Sequence, residues 1–269
     1  MEEKKIKMNK NKEIIKRESL NFYLSSIIFP KKIRNEVYDL YAFVRVMDNF
    51  IDENPVNYKK YYDYKREFLK NDSSNDKIIQ NFKELSKKFE KEWIDAFFYS
   101  LERDIKNYKY KTMKDLEKYL YGISEVIGLM MARILNLKKE SYYYARMLGK
   151  SLQLANIIRD IKEDLEKNRN YIPLEVMKKF NVKSLNKEEK NIAKLILYLI
   201  DIYESWQNEA EKGYKFLSKR MRIAVKTSAD NYKWTINKIK RNPLIVFEKQ
   251  IKPSKRIIIF NIIKNILFA

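Results

Sequence analysis

Two acidic clusters far apart in the chain each repeat a carboxylate one helical turn later. The first is Asp48-Asn49-Phe50-Ile51-Asp52-Glu53, and the second is Asn156-Ile157-Ile158-Arg159-Asp160-Ile161-Lys162-Glu163-Asp164. Residues four apart share one face of a helix, so Asp48 and Asp52 point together, as do Asn156, Asp160 and Asp164. Apposed, the two faces make an all-oxygen pocket of the kind that hard divalent cations prefer, and such cations commonly bridge carboxylates to substrate phosphates. Each stripe extends further. Tyr41, Arg45, Asp48 and Asp52 are spaced 4, 3 and 4, and Gln153, Asn156, Asp160 and Asp164 are spaced 3, 4 and 4. Arg159 and Lys162 can neutralise phosphate oxygens, Arg bidentately, and an amide can ligate a metal or hydrogen-bond a diphosphate. Arg169 and Tyr171 follow where the second helix ends. One D-x-x-x-D on a helix is weak, since a solvated charged face looks the same. Two of them, each with basic and amide partners, are stronger. Phe43, Val44, Met47, Phe50 and Ile51 leave little of the first segment for solvent.

With no Cys and no His in 269 residues, disulfides, thiolate nucleophiles and imidazole acid–base catalysis are excluded. Chemistry must rest on carboxylates, Tyr, cationic side chains, amides, hydroxyls or a bound metal. The net charge of +21 attracts anions, whether nucleic acid, acidic lipid or a phosphorylated substrate, although much of it can be plain solvated surface. The Lys residues are spread along the chain rather than gathered on one stripe with aromatics, so nucleic acid is not expected as a partner. Residues 1–17 are basic, form a segment expected to be mobile, and lack the apolar region of a secretory signal. No apolar run reaches the roughly 18 residues of a spanning helix. A cytoplasmic location follows as the expectation, with membrane association as an addition. The stretch Ile257–Ala269 is apolar with Asn261, Lys264 and Asn265 interspersed. It reads either as a terminal helix on the core or as a peripheral membrane contact.

The elements that must position these residues are helices. Only 4 Gly and 5 Pro occur, too few for the turns of a sandwich or barrel, so an all-α fold is expected. Pro30 opens a helix with apolar positions at Val37, Leu40, Tyr41, Val44, Met47 and Ile51, and Asn54-Pro55 closes it. Further helices are predicted over 58–69, 76–107, 112–135, 139–166, 186–220, 223–240 and 243–268, with a loop at Asn71-Asp72-Ser73-Ser74. No Gly-, Ser- or Pro-rich linker divides the chain. One domain over 1–269 is the simplest organisation, and a monomer is expected.

Four blocks resemble the squalene/phytoene synthase family, the head-to-head prenyl diphosphate condensing enzymes. Ser19-Leu20-Asn21-Phe22-Tyr23 with Phe29-Pro30 is similar to the family's early S-x-S-F-Y…L-P segment. Tyr41-Ala42-Phe43-Val44-Arg45 leading to Asp48-x-x-x-Asp52-Glu53 resembles Y-A-x-x-R-x-x-D-x-x-x-D-E. Gln153 through Asp164, then Arg169-Asn170-Tyr171-Ile172-Pro173, resembles Q-L-x-N-I-x-R-D-x-x-E-D…R-x-Y-x-P, and this block is long and specific. Tyr232 through Asn242-Pro243 to Phe247 and Lys249 resembles the C-terminal segment.

The resemblance implies a single-domain isoprenoid-synthase helical bundle around a central cavity, with both aspartate motifs facing across its mouth. It implies that Mg²⁺, with Mn²⁺ as the alternative, is held by Asp48, Asp52, Asn156, Asp160 and Asp164. Ser19, Asn21, Arg45, Gln153, Asn156, Arg159, Arg169, Tyr171 and Lys249 would bind the diphosphates of prenyl substrates. Tyr41, Tyr119 and Tyr232 would join Arg45 and the acids in catalysis, and NADPH would be used only if the product is squalene. Ser26 stands where a bulky residue floors the cavity in short-chain members, which favours a C20 over a C15 substrate, while Tyr38 nearby argues the other way. The chain departs from the family at Asn49, where an acid is common. It departs again at Ser124 and Glu125, which replace a small apolar residue and a glycine in Tyr119–Gly128. Glu125 either stands on the cavity or faces outward. Two other readings compete: a non-catalytic helical assembly factor of the same fold, and a basic nucleic-acid-binding helical protein.

Overall fold

The computed structural model describes residues 10–53, 56–70 and 72–268. Residues 1–9 of the basic segment, the Asn54-Pro55 stop, Asn71 and Ala269 lie outside the described residues. The helices are α1 (Lys10–Glu18), α2 (Leu20–Ser26), α3 (Lys31–Asp52), α4 (Tyr58–Leu69), α5 (Lys77–Ser86), α6 (Lys91–Ile105) and α7 (Met113–Leu120). They continue as α8 (Val126–Ile134), α9 (Tyr142–Arg159), α10 (Ile161–Glu166), α11 (Leu174–Lys179), α12 (Ile192–Glu211), α13 (Lys219–Arg241) and α14 (Lys255–Leu267). No strand occurs among the described residues, so the all-α expectation holds.

Several predicted boundaries move. The basic N-terminal segment is helical from Lys10 and packs on α3, with Ile14 and Ile15 buried. The helix predicted over 76–107 is two helices with a corner at 87–90. There the Lys88 and Phe89 N–H groups turn back to the Leu85 and Ser86 carbonyls, and Glu90 is extended. Buried Phe89 anchors that corner. The helix predicted over 139–166 bends at Asp160 (φ −102°, ψ 14°), yet Asp164 N–H still reaches the Asp160 carbonyl at 2.8 Å. The helix predicted over 243–268 begins as a 3₁₀ turn, Pro243–Phe247, and resumes at Lys255. Pro253 lacks an N–H and pushes Lys252 out of the α region.

Two apolar cores form. One gathers α3, α5, α6 and α8 around Phe43, whose ring stacks on Phe82 at 3.9 Å. The other gathers α7, α9, α12 and α13 around Leu154, Ile158, Leu195, Leu199 and Ile236. Residues of both line one cavity of about 330 Å³.

Three of the 4 glycines sit where helices pack closely, and two of these, Gly128 and Gly149, line the cavity. A Cβ on Gly122 would overlap the Ala96 carbonyl of α6, one on Gly128 the Ala145 carbonyl of α9, and one on Gly149 the Ser124 carbonyl. Between α7 and α8 the chain makes one π-helical stretch, Tyr121–Glu125, with Val126 N–H bonded to the Tyr121 carbonyl. Its wide turn brings Ser124 and Glu125 against Gly149 from the opposite side. The close approach that the family's glycine at 125 would permit is therefore supplied here by α9. Gly149→Ala should lower stability by about 1–3 kcal/mol, the scale of an overpacked contact. The measurement is the urea midpoint at unchanged slope, and a wild-type midpoint would show that the helices can part freely.

Candidate active site

The cavity is apolar along most of its length, with Phe29, Leu40, Ile127, Met131, Leu152 and Leu217 among its walls. Polar side chains also line it, among them Tyr41, Gln153, Asn156 and Tyr232, together with several serines. Helix α3 supplies Tyr41, α9 supplies Gln153 and Asn156, and α13 supplies Tyr232. The Phe22 ring of α2 lies 6.1 Å from both Tyr41 and Tyr232. Ser26 lines the cavity with its Oγ donating to the Tyr23 carbonyl at 2.7 Å, whereas Tyr38 is buried and stacks on Tyr23 instead.

The acids lie on α3, at the α9–α10 junction and on α10. On α3, Arg45 Nη1 meets Asp48 Oδ2 at 2.6 Å, as the i,i+3 spacing requires. On α9, Arg159 Nε donates to Asp160 Oδ1 at 2.8 Å. The clusters are joined by Arg169, whose Nη1 meets Asp52 Oδ1 at 2.6 Å while its Nη2 donates to the Ile51 carbonyl at 2.7 Å. The Arg169 N–H is itself bonded to the Asp164 carbonyl at 2.7 Å. Lys167 spans the same gap, 3.5 Å from Asp52 Oδ2 and 3.3 Å from Glu163 Oε1.

Burial and crowding leave several acids hard to ionise. Asp164 is pushed up to about 8, first by burial and then by Asp160, against the pull of Arg169 and Lys167. Asp48 is raised to about 6 by burial and by Asp52, with Arg45 and Arg169 opposing, although 36% of its side chain remains accessible. Burial drives the phenols of Tyr41, Tyr119, Tyr171 and Tyr232 above the usual Tyr value, so they are neutral donors.

The fold brings most of the expected residues together, with exceptions. Ser19 caps α2, its Oγ accepting the Phe22 N–H at 3.4 Å, and neighbours Tyr41. Asn21 Oδ1 accepts from Asn231 Nδ2 at 2.6 Å and so belongs to an amide chain between α2 and α13. Lys249 is exposed, as are Gln250 and Lys252, and within that segment the side chain hydrogen-bonded to the acids is that of Gln250. Gln250 Nε2 donates to Asp160 Oδ1 at 2.7 Å and Glu163 Oε2 at 2.9 Å. Lys252 is exposed as a whole residue, while partial burial of its ammonium and the charge of Arg159 hold it below its usual value. Glu125 faces α9 and away from the cavity. It is buried, with Arg146 Nε at 2.9 Å and Lys150 Nζ at 3.8 Å. Ser124 does line the cavity, its Oγ donating to the Leu120 carbonyl at 2.8 Å.

One acid went unread in the sequence. Asp104 of α6 accepts from Tyr119 and Tyr171 hydroxyls, each at 2.8 Å, beneath stacked rings 5.2 Å apart. Burial raises it to about 7, with Tyr119 and Arg169 opposing and Asp48 adding to the rise. Its signal was its register: Phe97, Leu101 and Asp104 share one helix face, so an acid continues a buried stripe.

The donor set fits hard divalent cations. All the candidate ligand atoms are oxygens, Asn156 Oδ1 is buried without a hydrogen-bond partner, and Asp48 and Asp164 are crowded by like charge. Among the described residues no three carboxylates converge as one metal cage. Pairs such as Asp48 with Asp52 and Asp160 with Asp164 would thus share each ion with substrate oxygens.

Residues 15–256 match the model of the squalene/phytoene synthase family. The 4,4'-diapophytoene synthase of Staphylococcus haemolyticus is 24% identical over 246 residues, covering 85% of this chain and 86% of that protein. The phytoene synthase of Thermus thermophilus is 29% identical over 178 residues, covering 63% and 60%. A crystal structure of a dehydrosqualene synthase in complex with ligand superposes with a TM-score of 0.87 at 24% identity, covering 96% of this chain and 94% of that one. A squalene synthase structure from Alicyclobacillus acidocaldarius gives 0.71 at 20% identity, covering 86% and 93%. The likeness in structure extends to the fold, and the family match extends through both acidic motifs: the chain belongs to the squalene/phytoene synthase family.

Proposed function

We propose that this prenyltransferase condenses two geranylgeranyl diphosphates head to head into a phytoene-type hydrocarbon. The observation that carries the reading is that the paired acids, with Arg45, Arg159 and Arg169, continue the helix faces on which Tyr41 and Asn156 line an apolar cavity. Asp48, Asp52, Asn156, Asp160 and Asp164 would hold Mg²⁺ or Mn²⁺, which when bound stabilises the leaving diphosphate's charge. Arg45, Arg159 and Arg169, with Gln153, Tyr171 and Gln250, orient that diphosphate. The allylic C–O bond breaks and its electron pair leaves with the diphosphate. The second substrate's double bond attacks the allylic carbon. Loss of a proton closes a cyclopropane that still bears one diphosphate. That second diphosphate then leaves, the skeleton rearranges to the 1–1′ chain, and a further proton loss ends the reaction without a hydride donor. NADPH would enter only if the last cation were reduced to squalene.

The released diphosphate takes the protons, and Tyr119 holds Asp104 through its hydroxyl. Tyr41 and Tyr232, kept neutral by burial, present π faces to the cations. Cavity and acids come from one chain, so no partner subunit is required. Ser26 in the wall, with Tyr38 turned to Tyr23, supports the C20 substrate. An assembly factor is not favoured, since it would have no use for acids gathered beside an apolar cavity.

Incubating the protein with Mg²⁺ and geranylgeranyl or farnesyl diphosphate, with and without NADPH, should release diphosphate and give a C40 hydrocarbon from the former. No diphosphate from either substrate overturns the reading. Asp48→Asn and Asp160→Asn should each lower kcat by about 100-fold or more with helicity by circular dichroism intact. Ser26→Phe should shift the kcat/KM preference from C20 toward C15 diphosphate; an unchanged ratio would place chain-length selection elsewhere.

The raised acids also predict a pH dependence. Between the ordinary carboxylate value of 3.8 and about 8, the folded chain binds more protons than the unfolded chain at Asp48, Asp104 and Asp164. These groups therefore lower stability as pH rises through that window. In chelator, the thermal midpoint should fall from pH 5 to pH 9 more steeply in wild type than in Asp164→Asn. Mg²⁺ should raise the wild-type midpoint more at pH 8 than at pH 5. Equal slopes in the two proteins would mean that Asp164 is not under strain.

A further inference from the structure

Helix α14 is inside out. The face it turns inward carries one apolar residue, Ile258, and two buried amides, Asn261 and Asn265. Asn261 Nδ2 donates to Asn231 Oδ1 at 2.7 Å, Asn265 Nδ2 donates to Asp230 Oδ2 at 3.0 Å, and Lys226 Nζ donates to Asn265 Oδ1 at 2.7 Å. Asn265 is only 1% exposed. The face it turns outward is apolar. Ile259, Phe260, Ile263, Ile266, Leu267 and Phe268 are all exposed, Phe260 to 65% and Phe268 to 81%. Positions 259, 263 and 266, and 260, 263 and 267, lie three or four apart, so these side chains form one continuous stripe. A helix that only packed on the core would bury that stripe and expose its amides. The hydrogen-bonded amides fix the opposite orientation, and an exposed apolar patch of this kind marks a binding surface.

Charge identifies the occupant. Residues 249–269 carry five cations and no acid. Lys264 is paired with Asp230 at 3.5 Å and Lys252 lies among the charges of Arg159 and Asp160, which leaves Lys249, Lys255 and Arg256 as exposed positive charge on the flank. A second copy of the chain pairing by this face about a twofold axis would bring those cations toward one another. An anionic lipid surface offers apolar depth to the stripe and countercharge to its flanks at once. We infer that α14 docks the protein, lying flat, on a bilayer rich in anionic lipid. Among the described residues no helix is long and apolar enough to cross a membrane, which agrees with a helix that lies on it. Docking there sets the cavity close to lipid. Helix α2 packs on α14 and presents Phe22, Ser25 and Ser26 to the cavity. The inference stands independently of the proposed reaction, because it rests on α14 alone.

The test is flotation of the full chain with vesicles of phosphatidylglycerol or of phosphatidylcholine. The chain should float with the anionic vesicles, less with the neutral ones, and less again in 0.5 M salt. Phe260→Asp combined with Ile263→Asp should reduce partitioning by at least about tenfold. Both sites are exposed, so the thermal midpoint and circular dichroism should match wild type. Lys255→Glu combined with Arg256→Glu should abolish the preference for anionic lipid. Unchanged flotation of the Phe260/Ile263 variant would overturn the inference. So would a concentration-dependent dimer in sedimentation that this variant abolishes, which would assign the stripe to self-association.

Discussion

Arg169 is the contact on which the arrangement of the site depends. The two acidic clusters arise on helices that are distant in the chain, and bringing carboxylates together in a partly dry place is unfavourable. Arg169 lies between them, 11% exposed, with one guanidinium nitrogen on Asp52, another on the Ile51 carbonyl, and its own N–H on the Asp164 carbonyl. It thereby ties the C-terminal end of α3 to the end of α10 through both side chain and backbone. The chain reaches this position by a left-handed turn at Asn168, φ 58°, a conformation that Asn tolerates better than most residues. The turn, the arginine and the apposition of the acids are one device.

That device is incomplete without a ligand, and the incompleteness is useful. Four cations, Arg45, Arg159, Lys167 and Arg169, face the five acids Asp48, Asp52, Asp104, Asp160 and Asp164, and with burial added three of the acids sit well above the ordinary carboxylate range. A divalent cation with a diphosphate supplies the missing positive charge and then more acceptors for the arginines. The cavity walls are mostly apolar, and the polar groups among them are neutral phenols, amides and hydroxyls. A C–O bond placed between the acids and the cavity would break with its anion among cations and its carbocation among π faces, away from water.

The stripes at 41, 45, 48, 52 and at 153, 156, 160, 164 were legible because helix periodicity alone decides which residues share a face. The bend at Asp160 did not disturb this, since the Asp164-to-Asp160 hydrogen bond persists across it. Asp104 was harder to read. Its partners Tyr119 and Tyr171 come from other parts of the chain, and only its place on a buried stripe marked it. The corner at 87–90 carries neither Gly nor Pro, so the apolar pattern ran straight through it. Past Phe247 the backbone is irregular, and spacing says nothing about direction there. The resemblance pointed to Lys249, and spacing gave no sign that Gln250 beside it bonds to Asp160 and Glu163.

The departures at Ser124 and Glu125 show how a buried carboxylate can be accommodated beside a cavity meant for carbocations. An acid lining that cavity would trap a cation or remove its proton early. The π-helical turn rotates Glu125 to the α9 side, where Arg146 and Lys150 neutralise it and Lys150 also lies over the Trp206 ring at 4.3 Å. Ser124, which does line the cavity, turns its hydroxyl proton back to the Leu120 carbonyl and so has no donor left for the cavity. Gly149 on α9 supplies the space that the missing glycine would have given. The wall is then as inert as one built from alanine and glycine. The two substitutions become a change in how α9 is held rather than a change in what the substrate meets.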